Sequence, residues 1–119
     1  MNVTISSTPD EMGTRAARNG SEGIKRAIAE RGEARIILAT GTSQYQTIAA
    51  LVDTPEIDWS KVTVFHLDEY IGLSEDHPAS FRRYLKERFV SKVPDLGAFH
   101  PVTGEEDPTL VCERLGELI

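Results

Sequence analysis

Much is missing from this chain of 119 residues, and each absence narrows what it can do. It has one cysteine, Cys112, so no internal disulfide can form, which fits a reducing, cytoplasmic setting. No run is long and apolar enough to cross a bilayer, and Met1-Asn2-Val3-Thr4 lacks the basic and apolar regions of a signal peptide. Positive charge is scarce. Thirteen Lys and Arg stand against nineteen Asp and Glu, for a formal net charge of −6. A polyanion would be repelled on average, so nucleic acid is not an expected partner, nor is a membrane. Neither a Gly-x-Gly-x-x-Gly fingerprint nor a P-loop is present. No Cys or second His lies at ligand spacing from His66, and no metal or other cofactor is expected. There are no repeats, no low-complexity segment and no long linker. The length suits a single domain spanning 1–119.

What is present reads as alternating strands and helices. Val3-Thr4-Ile5 alternates as a short strand would. Met12, Ala16, Ile24, Ala27 and Ile28 recur at helical spacing from Pro9 to Arg31, and Gly32 is a natural stop. Arg35-Ile36-Ile37-Leu38-Ala39 is a continuous apolar run of the kind found in central parallel strands buried on both faces. Thr40-Gly41-Thr42-Ser43 follows at once and leads into a helix over 43–52, with Tyr45, Ile48, Ala49 and Val52 on one face. A strand over 62–67 comes next, completing a β–α–β unit. Pro78 is placed to open a helix reaching Phe89, with Phe81, Tyr84, Leu85 and Phe89 as its stripe and the arginines on a solvated face. A short strand over 99–102 precedes a last helix, which Asp107 caps and Pro108 starts. The expected fold is α/β: a three-layer, Rossmann-like parallel sheet with helices on both faces.

The right-handed crossover of a β–α–β unit brings both strand ends to one sheet edge. Thr40-Gly41-Thr42-Ser43 and the carboxylate pair Asp68-Glu69 should therefore meet there. The first segment combines hydroxyls, a glycine and the unpaired N–H groups of a helix start, a combination that can hold a phosphate. It can also be no more than a helix cap. The second supplies carboxylates for acid–base work, or merely a solvated loop entry. If both are extended, Asp68 and Glu69 point to opposite faces, and His66 shares a face with Asp68.

The stretch Phe65-His66-Leu67-Asp68-Glu69-Tyr70-Ile71-Gly72-Leu73, followed by His77-Pro78-Ala79-Ser80-Phe81-Arg82, resembles the glucosamine-6-phosphate deaminase/isomerase family. Leu38 to Ser43 resembles that family's phosphate loop, and Asp58 to Thr63 its lead into the catalytic strand. The resemblance implies Asp68 and Glu69 as catalytic candidates, with Asp68 as the general base. It implies Thr40, Gly41, Thr42 and Ser43 as the phosphate site, and a small-molecule sugar phosphate as substrate. The activity implied is conversion of glucosamine 6-phosphate and water to fructose 6-phosphate and ammonia. Three positions depart from the pattern: Gln44 stands for proline, Thr42 for a second glycine, and His66 for asparagine. The family's Gly-x-x-x-Asp-Gly-His-x-Ala-Phe-Asn motif, which carries the ring-opening histidine, is absent. The expectation is an N-terminal half of the family fold, incomplete, inactive alone, and prone to self-association as a homo-oligomer through its uncovered edge and apolar face. Two other functions compete: a 6-phosphogluconolactonase-like hydrolase, disfavoured by Asp68-Glu69-Tyr70 where an arginine is usual nearby, and a non-catalytic sugar-phosphate sensor.

Overall fold

A computed structural model describes residues 3–119. Helix α1 runs Pro9–Arg31, strand β1 Ala34–Leu38, helix α2 Tyr45–Val52, and strand β2 Val62–His66. Helix α3 follows at Phe81–Arg88, then strand β3 at Ala98–His100 and helix α4 at Pro108–Leu118. Single 3-10 turns at Thr42–Gln44, Trp59–Lys61 and Val90–Lys92 link these elements.

The three strands form one parallel sheet in the order β1-β2-β3. Strand alternation divides the side chains between two faces. Ala34, Ile36 and Leu38 of β1, with Val62 and Val64 of β2, turn to one side and meet Ala17 and Ile24 of α1, Ile48 and Leu51 of α2, and Leu85 and Phe89 of α3. Val62, Val64, Leu85 and Phe89 are wholly buried there. Ile37 and Phe65 turn to the other side, toward Val111 and Leu115 of α4. The layers are thus α1, α2 and α3, the sheet, and α4. The expected β–α–β unit is present, with Ala34 opposite Val62 and Leu38 opposite His66.

Several expectations need correction. Val3-Thr4-Ile5 is not a strand; Val3 and Ile5 lie exposed, and none of the strands among the described residues pairs with them. Strand β1 is an edge strand among the described residues rather than a central one. It pairs only with β2, and Ile37 on its far face is 53% exposed. Helix α2 begins at Tyr45, two residues later than expected, because the chain first tightens into the 3-10 turn. Pro78 does not open α3. That helix starts at Phe81, behind a Ser80 N-cap whose hydroxyl accepts from the Arg83 amide at 3.2 Å. Serine can satisfy an unpaired amide and proline cannot, so the cap two residues on decides the boundary. The last strand is three residues, Ala98–His100. Arg82 is not on a solvated face, as its surroundings below show.

Helix α1 has a Thr8 cap that accepts from the Glu11 amide, and it ends at Gly32 in the left-handed region. Gly13 lies where α1 crosses α2. A Cβ there would fall 2.4 Å from the Cβ of Gln46, so only glycine allows this approach.

Candidate active site

Because β1 and β2 are parallel and in register through Leu38 and His66, the segments that follow them leave from the same edge. Pairing continues one step beyond the strands, with the Leu67 amide donating to the Leu38 carbonyl at 3.1 Å. The fold thus delivers Thr40-Gly41-Thr42-Ser43 and Asp68-Glu69 to the carboxyl edge, where open α/β sheets hold their ligands.

In the first segment Gly41 has φ +103°, a conformation that residues with a Cβ rarely adopt. Space is not the constraint, since a Cβ built at Gly41 would meet nothing within 4 Å. Within this chain it is the backbone angle that calls for glycine. The Gly41 carbonyl accepts from the Gln44 amide at 3.1 Å and from the Tyr84 hydroxyl at 3.0 Å. Thr42 and Ser43 are exposed beyond it, and Thr40 and Gly41 are half-buried.

In the second segment, beyond the end of β2, the two carboxylates part company. Asp68 is exposed. Glu69 turns toward α3 and accepts four hydrogen bonds. Its Oε2 takes the Ser80 hydroxyl and the Arg82 amide, both at 2.8 Å. Its Oε1 takes the Phe81 amide at 3.1 Å and its neighbour Tyr70's amide at 3.0 Å. Two of the unpaired amides at the start of α3 thus end on Glu69, and Ser80 relays a third. Partial burial works to raise the carboxyl's pKa, but the bonds from Arg82, Phe81, Ser80 and Tyr70 outweigh it and hold the group below its ordinary 4.5. A carboxylate that satisfied is a poor proton acceptor.

His66 is 4% exposed. Its Nδ1 accepts from the Val102 amide at 3.3 Å, which places the hydrogen of the neutral ring on Nε2, a buried atom with no partner among the described residues. Burial pulls the imidazole below its usual 6.5, overcoming the opposite pull of Glu69 and Asp68, and Arg82 adds to the lowering. The ring is therefore neutral at pH 7.

Arg82, 6% exposed, is the main residue that sequence reasoning misplaced. Its Nη2 donates to both oxygens of Glu105, at 2.7 and 2.8 Å, and its Nε lies 3.3 Å from Glu75 Oε2 outside hydrogen-bonding geometry. Glu75 also pairs with Lys86 at 2.7 Å. This cluster ties the loop after β2, helix α3 and the loop after β3 together. Arg82, Leu85 and Phe89 are spaced i, i+3, i+7, so the sequence did contain the signal that Arg82 lies on the buried stripe.

A groove of about 540 Å³ opens on the α4 side, lined by Ile37, Phe65, Leu67, Ile71, Val111 and Leu115, with His66, Asp68 and Glu69 also on its lining. Its walls are chiefly apolar, which suits covering protein rather than a phosphorylated sugar. Among the described residues no group of His, Cys, Asp and Glu is arranged to hold a metal ion.

Comparison with known proteins agrees with this fold. Residues 7–119 match the model of the glucosamine-6-phosphate isomerases/6-phosphogluconolactonase family. The chain belongs to that family. It is 33% identical over 122 residues to glucosamine-6-phosphate deaminase of Exiguobacterium sp. strain AT1b, covering all of this chain and 45% of that one. It is 31% identical over 124 residues to glucosamine-6-phosphate deaminase 1 of Bacillus subtilis strain 168, covering all of this chain and 50% of that one. Among solved structures, a monomeric glucosamine-6-phosphate deaminase superposes with TM-score 0.81 at 29% identity, over 99% of this chain and 49% of that one. A 6-phosphogluconolactonase of Shewanella baltica superposes with TM-score 0.83 at 20% identity, which establishes shared fold alone. The chain spans half or less of the length of these curated relatives.

Proposed function

We propose that these residues form the phosphate-loop and general-base part of an amino-sugar phosphate isomerase/deaminase. The observation that carries this is the parallel register of β1 and β2, which brings Thr40-Gly41-Thr42-Ser43 and Asp68 to one sheet edge. The substrate's phosphate would sit on the loop's amides and hydroxyls, drawing a dianion toward a chain of net charge −6 through a local N–H-rich site. Asp68 would take the proton from carbon 2 of the open-chain sugar and return it at carbon 1, while one proton passes from the carbon 2 amine to the aldehyde oxygen. Carbon 1 then carries CH2OH and carbon 2 an imine, which water hydrolyses to the ketone and ammonia. Glu69 serves this chemistry by holding the loop that carries Asp68, not by transferring protons. The relatives named glucosamine-6-phosphate deaminase support the deaminase reading over lactone hydrolysis.

These 119 residues are expected to show no turnover alone, since His66 is buried against Val102 and no other histidine adjoins Asp68 in sequence. The test is ammonia release from glucosamine 6-phosphate by the complete gene product. Release that depends on Asp68 supports the reading. Hydrolysis of 6-phosphogluconolactone without ammonia release would replace it with the lactonase, and binding without either reaction with the sensor.

A further inference from the structure

Helix α3 reaches the phosphate loop as well as the carboxylate. Its Tyr84 hydroxyl donates to the Gly41 carbonyl at 3.0 Å. The ring that carries this hydroxyl packs beside two groups. It stacks on Tyr45, the first residue of α2, with ring centroids 5.5 Å apart and planes 14° from parallel. The Arg88 guanidinium sits 3.9 Å from the Tyr45 centroid and 5.4 Å from that of Tyr84. Burial raises the phenol above its ordinary 10, with Tyr45 adding to this and Arg88 opposing it, so the hydroxyl keeps its proton at neutral pH.

A trans peptide is planar, and its C=O and N–H point in opposite directions. Fixing the Gly41 carbonyl toward Tyr84 therefore fixes the Thr42 N–H away from α3. Glycine makes the hold necessary. At φ +103° Gly41 has no Cβ to confine it, and without a restraint it would sample several orientations. Among the described residues only the Gln44 amide, at 3.1 Å, shares the task.

We propose that Tyr84 is a positioning residue for phosphate recognition, its hydroxyl orienting the Gly41–Thr42 peptide so that the Thr42 N–H is presented to a phosphate monoester. This rests on the phosphate-loop reading above and assigns to one side chain the task of setting that loop's geometry. Tyr84 touches no substrate; it acts through Gly41.

The test is Tyr84→Phe, which keeps the stacked ring and removes one hydroxyl. Backbone amide shifts of this chain are followed by NMR while inorganic phosphate, glucosamine 6-phosphate or unphosphorylated glucosamine is added. Loss of one hydrogen bond predicts about three- to ten-fold weaker binding of both phosphate ligands. Amide exchange at Gln44, whose N–H donates to the same Gly41 carbonyl, should quicken in the ligand-free variant, while exchange in β2 stays unchanged. Equal affinity in wild type and variant would overturn the role of Tyr84 and leave the phosphate loop standing. Failure of the wild type to bind either phosphate ligand at Gly41–Ser43 would overturn both.

Discussion

Replacing Glu69 by alanine tests the reading that this carboxylate is a latch rather than a base. The side chain satisfies four donors, two of them the first amides of α3. Alanine strands those donors. Ser80 still caps the Arg83 amide, and water reaches part of the opened space because Glu69 is only half-buried. A lost helix cap costs about 1 kcal/mol and up to about 2. Hydrogen bonds to a charged group contribute roughly 1.5–3 kcal/mol each when isolated. The four bonds converge on one group and partly relax, so about 2–3 kcal/mol in total is expected. For a domain of this size that lowers the melting midpoint by roughly 8–12 °C. The pH dependence gives a second readout. The folded-state pKa of Glu69 lies below 4.5, so its contribution is fully present above that value and fades as pH falls through the folded pKa. The gap between wild type and Glu69→Ala should therefore hold from pH 7 to about 5 and narrow in acid. Thermal and urea unfolding at several pH values measures it. A loss below about 0.5 kcal/mol, typical of an uninvolved surface site, together with a pH-independent gap, would refute the latch.

Other predictions follow from the same geometry. In the complete gene product, Asp68→Asn should lower ammonia release by about a hundred- to ten-thousand-fold while glucosamine 6-phosphate still binds, as expected for removal of a general base; steady-state kinetics and calorimetry check both. Gly41→Val should weaken phosphate binding through backbone strain at φ +103° rather than through a clash, so Gly41→Ala should do nearly as much damage in an NMR titration. His66→Asn should flatten the stability curve in mild acid. The buried imidazole resists protonation, so the unfolded chain binds a proton below about pH 6.5 that the folded chain does not, and stability falls there in the wild type alone.

Much of the fold was legible because it rests on local patterns. The apolar run at 36–38, the Thr-Gly-Thr-Ser turn and the Val62–His66 strand specify a β–α–β unit, and handedness then brings their ends together. The Glu69 latch was not legible. Three of its four partners lie 11 to 13 residues away across a loop, and no periodicity reports on such a contact. The start of α3 was misplaced because Pro78 and Ser80 both signal a helix N-terminus, and only Ser80 can return a hydrogen bond. Arg82 was put in solvent by its charge, although its spacing from Leu85 and Phe89 put it inside; Glu105, 23 residues on, supplies the counter-charge that makes burial tolerable. An apolar run cannot say whether a strand is central or at an edge: Ile37 is as apolar as Ile36, yet it lies on the face of β1 that is left largely open.

The central claim is that the loop at 40–43 and Asp68 form one sugar-phosphate site. The most direct measurement is an NMR titration of this chain with glucosamine 6-phosphate, with glucosamine as the control lacking phosphate. The account predicts saturable shifts at Gly41, Thr42, Ser43 and Asp68 together, seen with the phosphorylated sugar and absent with glucosamine. Shifts confined to Ile37, Val111 and Leu115 in the groove beside α4, or equal responses to both sugars, would contradict it.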